Sequence, residues 1–336
     1  MSLPLKSSPL KITDSSSVDR RKFIQVGGAL AVGTLAAGTK VGEATAASTV
    51  DEKVRKGWID AHSHIWGRNV DQFPLAQGQT LEDLDPVSFD DQELLAACRP
   101  FGVERVVLIQ HHIYHGFDNR YLVDAARRHP DRFRVVGMVD DLSPEPGKQM
   151  RQLHKERVTG LRITPWIRGA DVWLSGSGMA DLWETGAETG QAMCCLIDAS
   201  DLPTVSKMCS KFPKTSVVID HFARIGVDGM IREADVDQLC GLAKHKQVKV
   251  KISAYYALGK KQPPYDDLVP MIRRLLDAYG PERLMWASDA PYQMTDGNTY
   301  RASVELITQR LDFLTASDRD WLLRKTAAST YDFDVD

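Results

Sequence analysis

Eight short apolar segments, punctuated by stretches of helical spacing, limit what this chain can fold into. They occupy residues 57–62, 103–110, 133–140, 158–164, 192–198, 215–220, 248–253 and 283–289. Most are rich in Val, Ile and Leu, and several lack polar alternation, as strands buried on both faces do. Between them lie stretches of helical spacing such as 90–101, 119–129, 179–189, 202–212, 236–245 and 267–279. Strand then helix, eight times over roughly 280 residues, predicts an α/β chain closed as a (β/α)8 barrel, with 57–336 as one domain. An open doubly wound sheet is the alternative. If it bound a nucleotide it would need a Gly-rich turn after its first strand, and none is present.

In such barrels the catalytic groups stand at the carboxyl ends of the strands. Here those ends carry His62 and His64, then Gln110 with His111 and His112, Asp140, Arg162, Asp198, Asp220 with His221, Ser253 and Asp289. Side chains at i and i+2 of a strand share a face, so His62 and His64 can converge on one ion or one substrate. Each of these residues also has a purely structural role open to it. Asp289, before Ala290-Pro291, could cap a turn; Arg162 could close an ion pair with Asp198 or Asp140. Asp220 reads as a residue that orients a neighbour or solvates the strand end. His111, His112 and His115 lack strand or helix periodicity and read as a polar rim, and Tyr255, Tyr256 and Trp166 as packing residues.

His62-x-His64 on the first strand, His221 closing Val217-Val-Ile-Asp-His221, and Asp289 in Trp286-Ala-Ser-Asp289-Ala-Pro resemble the amidohydrolase superfamily in its amidohydrolase-related branch. Val103-Glu-Arg-Val-Val-Leu-Ile-Gln110, Gly160-Leu-Arg162 and Val250-Lys-Ile-Ser253 are similar, more narrowly, to the pyrone-dicarboxylate lactonase and sugar lactonase group. The resemblance spans essentially everything after Gly57. It departs from two-metal members, which carry a carboxylated Lys on strand four and a His on strand five, where this chain has Arg162 and Cys194-Cys195-Leu-Ile-Asp198. What the resemblance implies is one divalent ion, zinc by ligand type, held by His62, His64, His221 and Asp289, or the metal-independent catalysis of some lactonases.

Opening a lactone needs an activated water, a group that polarises the carbonyl and a proton for the leaving oxygen. Asp289 is the expected general base, with His221 beside it in the catalytic set. Without an ion, His62, His64 and His221 polarise the carbonyl by hydrogen bonding. Arg162 is expected to bind a substrate carboxylate, and Gln110, His112, Tyr255 and Trp166 to orient the substrate. A metal-dependent decarboxylase of the same branch and a non-catalytic ligand-binding barrel are the rival readings.

The charge is mildly acidic, 42 Lys and Arg against 45 Asp and Glu, and dispersed, which excludes a nucleic-acid surface and leaves a small molecule as the expected partner. Oligomeric state is not legible. Five Cys, an odd number without metal-type spacing, read as buried thiols. Residues 72–89 and 168–178 are expected to be loops shaping the mouth. At the amino end, Arg20-Arg21-Lys-Phe23-Ile24 precedes a short Gly- and Ala-rich run and Ala44-Thr45-Ala46. Residues 1–46 thus read as a twin-arginine export signal, which makes the export machinery a partner and the periplasm the expected location.

Overall fold

The computed structural model describes Val54, Lys56 and residues 57–334, all within one compact unit, Ala44–Asp336. The export-signal segment lies outside the described residues.

Eight parallel strands pair in chain order: β1 (Trp58–Ser63), β2 (Val103–Ile109), β3 (Phe133–Gly137), β4 (Val158–Ile163), β5 (Ala192–Cys195), β6 (Val217–Ile219), β7 (Val248–Ile252) and β8 (Leu284–Trp286). The ring closes just beyond β8. Ser63 bridges Ala290, the Asp289 amide donates to the His62 carbonyl at 2.8 Å, and the His64 amide donates to the Ala290 carbonyl at 2.8 Å. Closure therefore uses backbone at the very residues expected to carry the chemistry. This is the (β/α)8 barrel read from the sequence.

The helices wrap outside: α1 (Asp91–Cys98), α2 (Arg120–Arg128), α3 (Pro146–His154), α4 (Ser177–Thr189), α5 (Leu202–Lys211), α6 (Glu233–Gly241), α7 (Val269–Tyr279), α8 (Tyr300–Glu305) and α9 (Thr326–Tyr331). Sequence chemistry sets their starts. Asp90 caps α1 by accepting from Gln92 and Glu93 amides at 2.9 Å each, and the Glu93 carboxylate accepts from the Asp90 amide at 2.7 Å, a reciprocal capping box. The α3 segment, Pro-Gly-Lys-Gln-Met-Arg-Gln-Leu-His, buries only Pro146, Gly147 and Met150, so its apolar face is too thin to single out in advance.

Two apolar layers result. Outward-facing strand residues such as Val106, Val135, Val250 and Ile252 pack on the helices. Inward-facing Ile59, Ala61, Val107, Ile109, Val136, Cys194, Val218 and Met285 fill the barrel with Tyr331 and Phe333 from the carboxyl end of the chain. The guanidinium groups of Arg105 and Arg134 lie 5.4 and 4.7 Å from the Phe333 ring centre, and they donate to the carbonyls of Asp334 and Asp332. The amino end of the barrel is thus plugged, and the open mouth is the carboxyl end.

The ladders stop one to three residues before most of the expected strand ends. The polar residues there leave the ladder to turn into the mouth. Segment 72–89 does not line the main cleft as expected: Trp66 and Phe89 exchange backbone hydrogen bonds, and Trp66 Nε1 donates to the Pro86 carbonyl at 2.8 Å, holding the segment against the β1 side.

Candidate active site

At the centre of the mouth, Asp289 Oδ1 stands 3.4 Å from His62 Nε2, 3.4 Å from His64 Nε2 and 3.9 Å from His221 Nε2. All four residues are buried. Asp289 has a left-handed backbone, φ 68°, just past the barrel closure. The run His221–Arg224 is stranger, with φ between 51° and 54° at every residue and none of them Gly. L-residues resist this conformation by roughly 1–2 kcal/mol each. The turn brings both His221 and Arg224 to the cleft.

Hydrogen bonds orient the rings. His64 Nδ1 lies 2.9 Å from the Ile109 carbonyl, which accepts its proton and leaves Nε2 as a bare lone pair. His221 Nδ1 sits 2.8 Å from Ser253 Oγ. His62 is flanked by two cations, Lys251 Nζ at 3.2 Å from Nδ1 and Arg162 Nη2 at 3.1 Å from Nε2. Burial first, then Lys251 and His221, hold its pKa well below the ordinary range. Burial likewise pushes His64 down to about 3 and His221 to about 4. The three imidazoles are therefore neutral at neutral pH.

The two central carboxylates differ. Asp220 is fully buried, and burial opposes its charge, but Lys251 Nζ at 3.0 Å, His62 and Arg162 outweigh that and hold its pKa well below the usual value. Burial raises the pKa of Asp289, moderated by His221, by the Tyr256 hydroxyl donating to Oδ2 at 2.7 Å, and by Arg162. A firmly ionised counterion beside a basic carboxylate is the pattern of a site that needs a proton acceptor.

These residues fit a divalent cation. Oδ1 of Asp289 is buried without a hydrogen-bond partner, and Nε2 of His64 is an unprotonated donor aimed at the same point. The atoms offered by His62, His64 and Asp289 lie within 4.8 Å of one another. Arg162 Nη2 competes for the His62 Nε2 lone pair, so arginine and ion are alternatives there.

Around this centre opens a cleft of about 1490 Å³, including space open to solvent. Of the residues expected to orient substrate, Arg162, His112 and Trp166 line it. Gln110 does not. It is buried, and Nε2 donates to the carbonyls of Gly116 and Asp118 at 3.1 and 2.8 Å, pinning the loop after β2. Tyr255 is also turned away, its hydroxyl donating to the Ile252 carbonyl at 2.9 Å, and Tyr256 takes the place at the cleft. Asp140 and Asp198, the ion-pair partners expected for Arg162, instead bind Arg168 and Arg224 at 2.6 and 2.7 Å. The carboxylate facing Arg162 is Asp220, at 3.6 Å. His111 is more than rim: it lines the cleft, with Nε2 2.6 Å from the Tyr292 hydroxyl.

Lys251, Arg224 and Tyr292 escape the sequence reading, and Tyr256 is read there only as a packing residue. Only Lys251 left a signal. In Val248-Lys-Val-Lys-Ile252 the two lysines share one face of an otherwise apolar strand, and that face is the barrel interior.

Comparison with known proteins agrees with this architecture. The sequence profile of the amidohydrolase family matches residues 59–333. L-fucono-1,5-lactonase of Burkholderia ambifaria is 27% identical over 245 residues, covering 71% of this chain and 82% of that protein. 4-Sulfomuconolactone hydrolase of Rhizobium radiobacter is 28% identical over 244 residues, covering 71% and 77%. A solved Pseudomonas putida structure, provisionally named 2-pyrone-4,6-dicarboxylic acid hydrolase, has the same fold with a TM-score of 0.70 at 24% identity, covering 84% of this chain and 99% of that one. With its barrel, its histidine cluster and a profile match running from β1 to Phe333, this chain belongs to the amidohydrolase family.

Proposed function

We propose that this protein hydrolyses a lactone, with Asp289 as general base. The observation that carries the reading is the bare, buried Asp289 Oδ1, ringed by three neutral imidazoles at the floor of an open cleft. The lactone-hydrolysing relatives support the substrate class. Asp289 takes a proton from the attacking water as its oxygen bonds to the carbonyl carbon, and later passes it to the leaving ring oxygen. Arg162, whose Nε is buried without a partner, binds a carboxylate on the substrate or charge developing on the carbonyl oxygen. Tyr256 holds Asp289 in place through its 2.7 Å bond. A divalent ion, zinc by ligand type, held by His62, His64 and Asp289 with His221 adjacent, would supply Lewis-acid polarisation and acidify the water.

The test is acid release from a lactone panel by wild type and Asp289→Asn, with and without chelator. Loss of a positioned base is expected to lower kcat by about 10³-fold while ligand affinity persists. Wild-type silence on lactones alongside carbon dioxide release from aromatic carboxylates would favour decarboxylation instead.

We also infer export by the twin-arginine route, supported by Arg20-Arg21 and the Ala44-Thr45-Ala46 site. Arg20→Lys combined with Arg21→Lys should retain uncleaved precursor in the cytoplasmic fraction. Unchanged periplasmic delivery of that variant would refute the inference.

A further inference from the structure

The walls of the cleft differ chemically from its floor. Asp289, His64, His221 and Arg162 are buried polar groups of the cleft, whereas Ile113, Trp166, Leu196, Val227 and Leu258 give it an apolar lining. Ile113 and Trp166 are 62% and 53% exposed, among the few large apolar side chains open to solvent among the described residues. Apolar surface of this kind beside a reaction centre marks where a ligand's own apolar part is covered.

Most of the other polar groups are already engaged; His112, its ring edge-on to that of Phe117, is the exception. The Tyr256 hydroxyl is spent on Asp289 and that of Tyr292 on His111. Arg224 lines the cleft, but it is paired with Asp198 at 2.7 Å and stacked on Trp166 with 4.5 Å to the ring centre. Arg168 is neutralised by both Asp140 and Asp141. Arg162 is left with an unpartnered nitrogen, at the floor. A polyhydroxylated ring would place hydroxyls against Leu, Val and Ile with no partners, and each hydroxyl so buried costs about 1–3 kcal/mol. A second anionic group would find each mouth arginine already paired.

We infer that the substrate is a lactone bearing an alkyl or aryl substituent that lies on the wall of Ile113, Trp166, Leu196 and Val227, with no more than one anionic group, taken by Arg162. This rests on the lactone-hydrolase reading and narrows its substrate class away from sugar lactones and dianionic pyrones. Ile113, Trp166 and Val227 become specificity-determining residues.

The experiment compares kcat/KM of the full-length protein for pentyl- or phenyl-substituted δ-lactones, for sugar 1,5-lactones, and for a dicarboxylated pyrone. A preference of about tenfold or more for the apolar lactones is expected, along with its loss in Ile113→Asn and Trp166→Ser, which alter exposed side chains. Equal or better turnover of sugar lactones or of the dianion overturns the inference while leaving lactone hydrolysis standing. If no lactone reacts, the hydrolase reading fails, and binding decides the rest: calorimetry with phenyl-substituted against polyhydroxylated δ-lactams as inert mimics. Tighter binding of the phenyl lactam supports the apolar wall, and tighter binding of the polyol refutes it.

Discussion

Asp289 and Asp220 show how two carboxylates within one cluster acquire opposite roles. Asp220 is held ionised by Lys251, His62 and Arg162 despite burial, whereas Asp289 is made more basic by burial. A base must be ionised to act, so activity is lost as pH falls through the raised Asp289 pKa. The acid limb of kcat/KM should therefore lie above the usual carboxylate range. The Tyr256 hydroxyl favours the ionised form of Asp289. Tyr256→Phe should move that limb to still higher pH, and a pH–rate profile that stays put or moves down would rule out Asp289 as the group titrating. His62, His64, His221 and Asp289 were legible because the strand ends of a barrel put them at one mouth. Tyr256 was not separable from Tyr255, since adjacent residues beyond a strand end face directions that the loop conformation sets: Ala254 is left-handed there, φ 57°.

Among the elements, β1 and β8 depend on Asp60. Its buried carboxylate accepts from the His62 amide at 3.1 Å, Ser63 Oγ at 2.8 Å, the Ser288 amide at 2.9 Å and the Tyr300 hydroxyl at 2.9 Å. It thereby ties β1, the segment after β8 and α8 together. An amide at this position turns one acceptor into a donor facing donors. Asp60→Asn should destabilise the protein by roughly 3 kcal/mol in urea unfolding, the scale for breaking a buried charged network. A change below about 0.5 kcal/mol would show the network to be dispensable. Strand positions were readable from Val and Ile runs. The α3 helix was not, because most of its residues face solvent and its buried stripe is only one Met with Pro and Gly.

For the molecule as a whole, the buried imidazoles make stability depend on pH. Their folded pKa values are depressed, to about 3 for His64 and about 4 for His221, against an ordinary 6.5. Between those limits the unfolded chain binds protons that the folded one does not, so stability falls as pH drops below about 6.5. The slope approaches ~1.4 kcal/mol per pH unit for each such histidine. Urea midpoints measured with chelator from pH 7 to 5 should show this, and His64→Gln should flatten the dependence; an unchanged slope would mean that His64 is charged in the folded state. The order of strands, the open end of the barrel and the identity of its central His and Asp residues were all present in the linear chain, because burial on two faces selects continuous apolar runs and a parallel barrel presents every strand end at one rim. Which arginines are neutralised, which tyrosine reaches Asp289, and that Lys251 stands behind His62 came from folding alone. Those pairings join residues up to 189 positions apart, His62 to Lys251 being the longest, and their partners are chosen by loop geometry and barrel closure, which no local pattern encodes.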